Sequence, residues 1–491
     1  MTRPVPITFG AWEPDKATFQ SDALVDALNV LPVAGGYGPM SGFSLVDGAS
    51  LATPITGATV LSDYTASTSI YAGSDDDVHL SLNGAAFVSV YSHGSALDPL
   101  NRWRYARFVG KVIAVHPEVA PIADDLGSTT GMTGLGGTPP AANAIGVVSN
   151  FLVLGNLDDG IDGLRPNRIR WSGFNDPDAW GTDPGTQADF NDMPDEGGAV
   201  QAIIGREFGT VFQRYSVSRM EYVGPPTVFA FGVVEKKRGA IAPGAVIDAG
   251  LVAFYIADDG FFLWDGTSST PIGAGRVDEY FRRRLYPGSA DMIVGAFDPL
   301  SSSVMWAYPT DSSGTLSEAL IYSFTENRWT RSDLRSSWLM SGFDVGQTLE
   351  DMDAYGSLEA IPFSFDDPSL LGGNQTVVGF DEDGNYGSLN GATLPGVLET
   401  GDWQAAPGMR AFVNAVRPIV DANTVTCAVG VRQQSMADPI VYSSESSRAI
   451  DGRCPLRASG RLMRIRQTIA GTQSWTRATG VEASVAAEGR R

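Results

Sequence analysis

A chain of 491 residues, 43% hydrophobic and 10% aromatic, has ample material for a packed interior; this excludes a disordered polymer and leaves room for roughly two to four ordinary domains or one large ring-like domain with additions. Its 57 glycines and 29 prolines, set among many β-branched and aromatic residues, point to an all-β chain rich in turns. With 34 basic against 56 acidic residues the net charge is -22, which makes a general nucleic-acid binder a poor candidate, because phosphate binding is driven by cations that release counterions.

Residues 1–50 read as an extended segment that closes or braces a ring formed by the rest of the chain. Residues 1–10 (MTRPVPITFG) lack the apolar core of a signal peptide, so secretion by that route is not expected. No run of ~20 apolar residues occurs; the nearest, residues 245–264, is broken by Asp248, Asp258 and Asp259, and no membrane span is expected. From about residue 51 the chain becomes a succession of hairpins. Residues 70–84 (IYAGSDDDVHLSLNG) and 377–391 (VVGFDEDGNYGSLNG) share one design and the same final Ser-Leu-Asn-Gly. Looser versions run through 151–173, 206–231, 253–266 and 304–330. Their Asp-Gly, Asn-Gly and Asp-Asp-Gly turns use residues that accept positive φ. Blades of a β-propeller take ~40–45 residues each, so the span 51–399 holds about six or seven. The predicted fold is therefore an all-β β-propeller over 51–399, with an additional small C-terminal β module over 400–491. In a ring the first and last hairpins are neighbours, which would explain why 70–84 and 377–391 are alike.

One stretch is helical in pattern, near 275–286: Val277, Tyr280, Phe281 and Leu285 share a face, Asp278 and Glu279 open it, and Arg282, Arg283 and Arg284 end it in accord with the helix dipole. Those three arginines suit either a solvated helix end or a phosphate contact. Residues 127–140 (GSTTGMTGLGGTPP) are glycine-rich without the Lys-Ser/Thr of a phosphate-binding loop. Beyond Glu399 twelve arginines face seven acidic residues, a local charge of about +5 against a negative remainder.

Catalytic chemistry is hard to find. His79, His93 and His116 lack metal-ligand spacing, no G-x-S-x-G elbow is present, and the acidic turns lack the glutamate that closes an EF-hand loop. Ser74 to Asp77 begins like an Asp-box, Ser-x-Asp-x-Gly-x-x-Trp, but the glycine and tryptophan are missing. Cys427 and Cys454 read as two buried free thiols. No catalytic residue, metal or cofactor is expected, and the chain is not expected to be an enzyme.

Three passages resemble the tail nozzle or hub (phage stabilisation-type) proteins of short-tailed bacteriophages. They are FGAWEPD with ALNVLPVAGGYGPMSGF near the start, 199–231 running into 238–266 in the middle, and 460–491 at the end, with its arginine-alternating strand, Gly-Thr-Gln turn and Trp475. The resemblance implies a virion structural protein, assembled in the host cytoplasm, that forms a homo-hexameric ring below the portal and adaptor. Such a ring conducts genomic DNA during ejection without sequence-specific binding and carries docking sites for fibres or spikes. Within that picture an acidic lumen would let DNA slide, since duplex DNA bears one charge per ~1.7 Å. The candidate channel-lining turns are Asp75, Asp76 and Asp77 with Asp381, Glu382 and Asp383. The alternative is a glycan-binding or glycan-cleaving β-propeller of a phage tail, which would need tryptophans ringing a shallow pocket.

Overall fold

The computed structural model describes residues 3–19, 21–62, 67–160, 162–345, 374–404 and 409–489. Its regular structure is almost wholly antiparallel β. Six sheets have four strands each, and a seventh four-stranded meander forms one side of a larger sheet. In chain order they span 57–92 (sheet I), 104–134 (II), 141–192 (III), 200–236 (IV), 247–271 (V) and 294–332 (VI). Sheet VII joins Ser336–Phe343, Gln375–Asp381 and Asn385–Ser388 to the N-terminal strand Ser44–Ser50.

The second strands explain how the sheets are stacked. Every residue of Thr68–Gly73, Gly209–Gln213, Ala253–Ala257 and Ser303–Tyr308 is buried, so each of these strands is covered on both faces. Because side chains alternate along a strand, one strand supplies two cores. In sheet II, Val112 and Ala114 pack with Tyr71 and Val78 of sheet I, whereas Ile113 and Val115 pack with Leu152 and Leu154 of sheet III. Val153 then meets Val211 and Met220 of sheet IV, and Phe212 and Val217 meet Tyr255 and Phe262 of sheet V. Phe254 and Ile256 turn the other way, onto Val304, Trp306 and Leu320 of sheet VI. Finally Met305 and Ile321 of sheet VI, Trp338 and Val378 of sheet VII, and Ile70 and Ala72 of sheet I share one cluster. The succession of contacts thus returns to the sheet from which it started.

Both ends of the chain meet in the remaining strands. Leu24–Leu28, Gly396–Thr400, Leu462–Ile469 and Val425–Arg432 extend sheet VI into a ten-stranded sheet, joined where Leu28 pairs in parallel with Arg331. Arg3–Thr8, Val30–Val33, Gly36–Pro39, Arg410–Val420, Cys454–Gly460 and Ala478–Gly489 form a six-stranded sheet against it. Val413, Val416, Cys427, Val429, Ile465 and Val481 fill the space between the two. The C-terminal β module expected over 400–491 therefore includes strands from the first forty residues, and the N-terminal segment both closes sheet VII and completes this module. Some of the module's arginines are matched by acids within it: Arg464 binds Asp402 at 3.0 and 2.7 Å and Glu399 at 3.1 Å, and Arg466 binds Glu399 at 2.7 Å. Cys427 and Cys454 are free and buried.

The helix spans Asp278–Arg284 and buries Phe281, with Val277 ahead of it. Asp15, from the N-terminal segment, accepts hydrogen bonds from the Glu279 and Tyr280 N–H groups at 2.8 Å each, which satisfies two of the donors that a helix start leaves open.

Candidate functional site

A four-stranded meander leaves by the end at which it entered, and the turn between its second and third strands lies at that same end. In sheet I this turn is Ser74–Asp77; in sheet VII it is Asp381–Asn385. The connector 51–56 links the two. Leu51 N–H donates to the Gly384 carbonyl at 2.9 Å, and Thr56 Oγ1–H donates to the Ser74 carbonyl at 2.9 Å. The two similar hairpins of the sequence are thus brought to one place on adjacent sheets. Beside the sheet VII turn and the connector opens a crevice of about 420 Å³ lined by Ile55, Thr56, Arg102, Glu382 and Asp383 among others.

The six carboxylates have different duties. Asp381 is spent on its own turn: Oδ1 accepts from Asp383 N–H at 3.0 Å and Asn385 N–H at 2.8 Å, and Oδ2 accepts from the Asn385 amide at 2.9 Å. Glu382 pairs with Arg335 at 2.7 Å. Asp77 lies 3.9 Å from His79 Nε2 and accepts from Ser89 Oγ at 3.4 Å, while its own N–H donates to Ser74 Oγ at 3.0 Å. Asp76 accepts from Ser74 Oγ at 3.3 Å, and the Asp75 carbonyl receives Leu97 N–H. Asp75 and Asp76 are half-buried, and Asp383 is exposed. These side chains hold the turns in shape and leave Asp75, Asp76 and Asp383 as the carboxylates most open to a neighbour.

The same topological position is acidic in six of the seven sheets, with Asp76, Glu118, Asp162, Asp259, Asp311 and Asp383 as one representative each. Sheet IV is the exception and places Arg214 there, paired with Asp258 of sheet V at 2.7 Å. Sequence reading singled out only the first and last of these turns. The others are acidic as well but have no shared tetrapeptide, and the strand count places each at the end by which its own sheet is entered.

The remaining sequence candidates separate. Arg282 pairs with Glu279, Arg283 lies 3.5 Å from Asp15, and Arg284 binds the buried Glu318 at 2.5 Å, so the helix arginines are matched within the chain. His116 is buried against Trp103, with ring centroids 5.0 Å apart, and loss of solvation brings its pKa down to about 4. Among the described residues no group of three or more His, Cys, Asp or Glu could hold a metal ion, and no helix is long and apolar enough to cross a membrane.

No family profile matches the chain, and no curated protein matches it. Among solved structures it is similar to a chain of a mitotic checkpoint complex, at 9% identity and a TM-score of 0.37 over 64% of this chain and 91% of that one. A computationally designed protein, Ika8, gives 11% identity and a TM-score of 0.36 over 72% of this chain and 99% of that one. The extracellular domain of a putative one-component system, BT4673 of B. thetaiotaomicron, gives 8% identity and a TM-score of 0.41 over 71% of this chain and 40% of that one. At these values the likenesses say nothing of activity, ligand or partner.

Proposed function

We propose that the seven sheets are the blades of a closed β-propeller and that the chain is a structural subunit of a bacteriophage tail nozzle or hub. In this reading copies of the chain, six by the sequence resemblance, assemble below a portal and adaptor. They surround the path of the genomic DNA and offer docking sites for fibres or spikes.

The observation that carries the reading is the acidic end. Carboxylates recur at the second turn of six sheets, and several of the arginines near them are already paired, so this end has little with which to grip phosphate. A surface of this kind, turned toward a lumen, repels the duplex within about one Debye length, ~8 Å at physiological salt, and keeps it mobile. The glycan reading is less well supported. It needs tryptophans ringing a shallow pocket, whereas Trp12, Trp103, Trp171, Trp180, Trp306 and Trp329 are all fully buried, and Trp264, Trp338 and Trp475 are buried as well.

Negative-stain imaging of the purified chain, alone and mixed with a portal–adaptor complex, tests the proposal. A ring with a central hole, in either sample, is the expected result. A monomer in both samples overturns it.

A further inference from the structure

Three arginines of the described chain are less than a tenth exposed: Arg102 at 8%, Arg168 at 5% and Arg464 at 6%. A buried guanidinium is costly unless a carboxylate faces it. Arg168 meets Asp159, Asp162 and Asp192, and Arg464 meets Glu399 and Asp402. Arg102 meets none. One of its N–H groups reaches the Ile55 carbonyl at 3.4 Å, its guanidinium lies 5.6 Å from the Trp338 ring, and its Nε is buried without a partner.

Two residues on, at the first position of the strand Arg104–Phe108, stands Arg104. Its Nε is also buried without a partner, and its head forms no hydrogen bond or ion pair with the described residues. The side chain is half-buried and lines a cavity of about 240 Å³. That cavity lies where the first strands of sheets I, II, III, IV and VII converge, with Thr59, Arg104, Tyr105, Ile145, Gln201 and Trp338 among its walls. The Tyr105 hydroxyl is a second buried group with no partner, and its ring lies 6.3 Å from that of Tyr71 between centroids. The one acid whose charge acts on both arginines is Asp291, which is exposed and forms no ion pair with either. Loss of solvation lowers both guanidinium pKa values, to about 10, so both remain charged at neutral pH.

We propose that this cavity is a binding site for a small organic monocarboxylate, whose carboxylate pairs with Arg104 and whose apolar body lies against Tyr105, Ile145 and Trp338. Arg104 brings one positive charge to the cavity wall, which a monoanion matches and a phosphate dianion exceeds. The planar guanidinium takes a carboxylate through two parallel N–H bonds. The volume is smaller than a drug-sized pocket, and apolar groups of Ile145 and Trp338 stand there beside the polar Arg104 and Gln201, which suits a small acid with a hydrophobic body. This inference does not depend on the tail reading.

Equilibrium dialysis of the full chain against radiolabelled benzoate, in carboxylate-free buffer at neutral pH, tests it. Saturable uptake of one benzoate per chain is expected, with benzamide, the neutral molecule of the same shape, at least ~10-fold weaker. Inorganic phosphate at equal concentration should not compete. Arg104→Met should abolish uptake while leaving the unliganded melting temperature unchanged or higher, because it removes a buried charge that lacks a partner. Absence of saturable uptake by the wild type, equal binding of benzamide, or undiminished uptake by Arg104→Met each overturns the proposal. If Arg104→Met fails to fold, Arg104→Lys decides: weakened uptake supports the site, and unchanged uptake refutes it.

Discussion

The closure of sheet VII by the N-terminal strand can be tested with two glycines that differ in one respect. Gly384, in the turn of sheet VII, has φ +82°, and a Cβ placed on it would stand 2.0 Å from the Leu51 carbonyl oxygen. Gly48, on the closing strand, has φ +76°, and a Cβ there would meet nothing within 4 Å. Either substitution by alanine sets an L side chain in the left-handed region, at about 1–2 kcal/mol. Only Gly384→Ala must also move the backbone at Leu51, whose N–H donates to the Gly384 carbonyl at 2.9 Å. Losing that bond adds about 0.5–1.5 kcal/mol, and displaced packing adds to it. We expect Gly48→Ala to lose about 1–2 kcal/mol and Gly384→Ala about 2–4 kcal/mol. Urea titration followed by tryptophan fluorescence measures both, since the tryptophans are core residues. Limited proteolysis should cut Gly384→Ala first within 44–56. Equal losses in the two variants would refute the argument that the connector 51–56 is seated on the sheet VII turn.

Asp402→Ala should cost about 3 kcal/mol or more in the same titration, because Arg464 stays buried with Glu399 alone; a loss below ~1 kcal/mol would mean that Glu399 suffices. Burial raises the Asp278 carboxyl to about 6, so the folded state holds this proton more tightly than the unfolded chain does. The resulting stabilisation is full below about pH 4 and lost as pH rises through 6. Asp278→Asn should therefore show a smaller decline in Tm between those values by calorimetry; an unchanged pH slope would count against it. His116 acts in the opposite sense: its pKa is lowered by burial to about 4, so its contribution is present above about pH 6.5 and lost on acidification through 4. His116→Gln should flatten the acid side of the Tm profile, and an acid limb as steep as the wild type's would refute this. In the tail reading, lysines at Asp75, Asp76 and Asp383 together should slow DNA ejection from assembled virions, and unchanged ejection kinetics would remove the acidic-lumen idea.

The hairpins were legible in the sequence because turn chemistry is local. Asp-Asp-Gly at 258–260 and Asp-Gly at 383–384 mark turns whatever surrounds them, and Gly260 and Gly384 do take positive φ. The helix was legible for the same reason, and Asp278–Arg284 lies inside the predicted 275–286. The C-terminal module was only half legible. Its strands alternate as strands should, but that Arg3 pairs with Val485 and Leu24 with Thr400 is written in no short window. Such partners lie near opposite ends of the chain.

Charge divides in the same way. From sequence alone the protein is acidic, β-rich and punctuated by acidic turns, because composition and local backbone preference suffice for those statements. Which charges are satisfied is a matter of what stands opposite. Glu382 finds Arg335, and Arg168 finds three aspartates, whereas Arg102 and Arg104, in an Arg-Trp-Arg-Tyr run with nothing unusual about it, find none. The pairing of a buried charge depends on strands far apart in the chain, and so only the tertiary structure decided it.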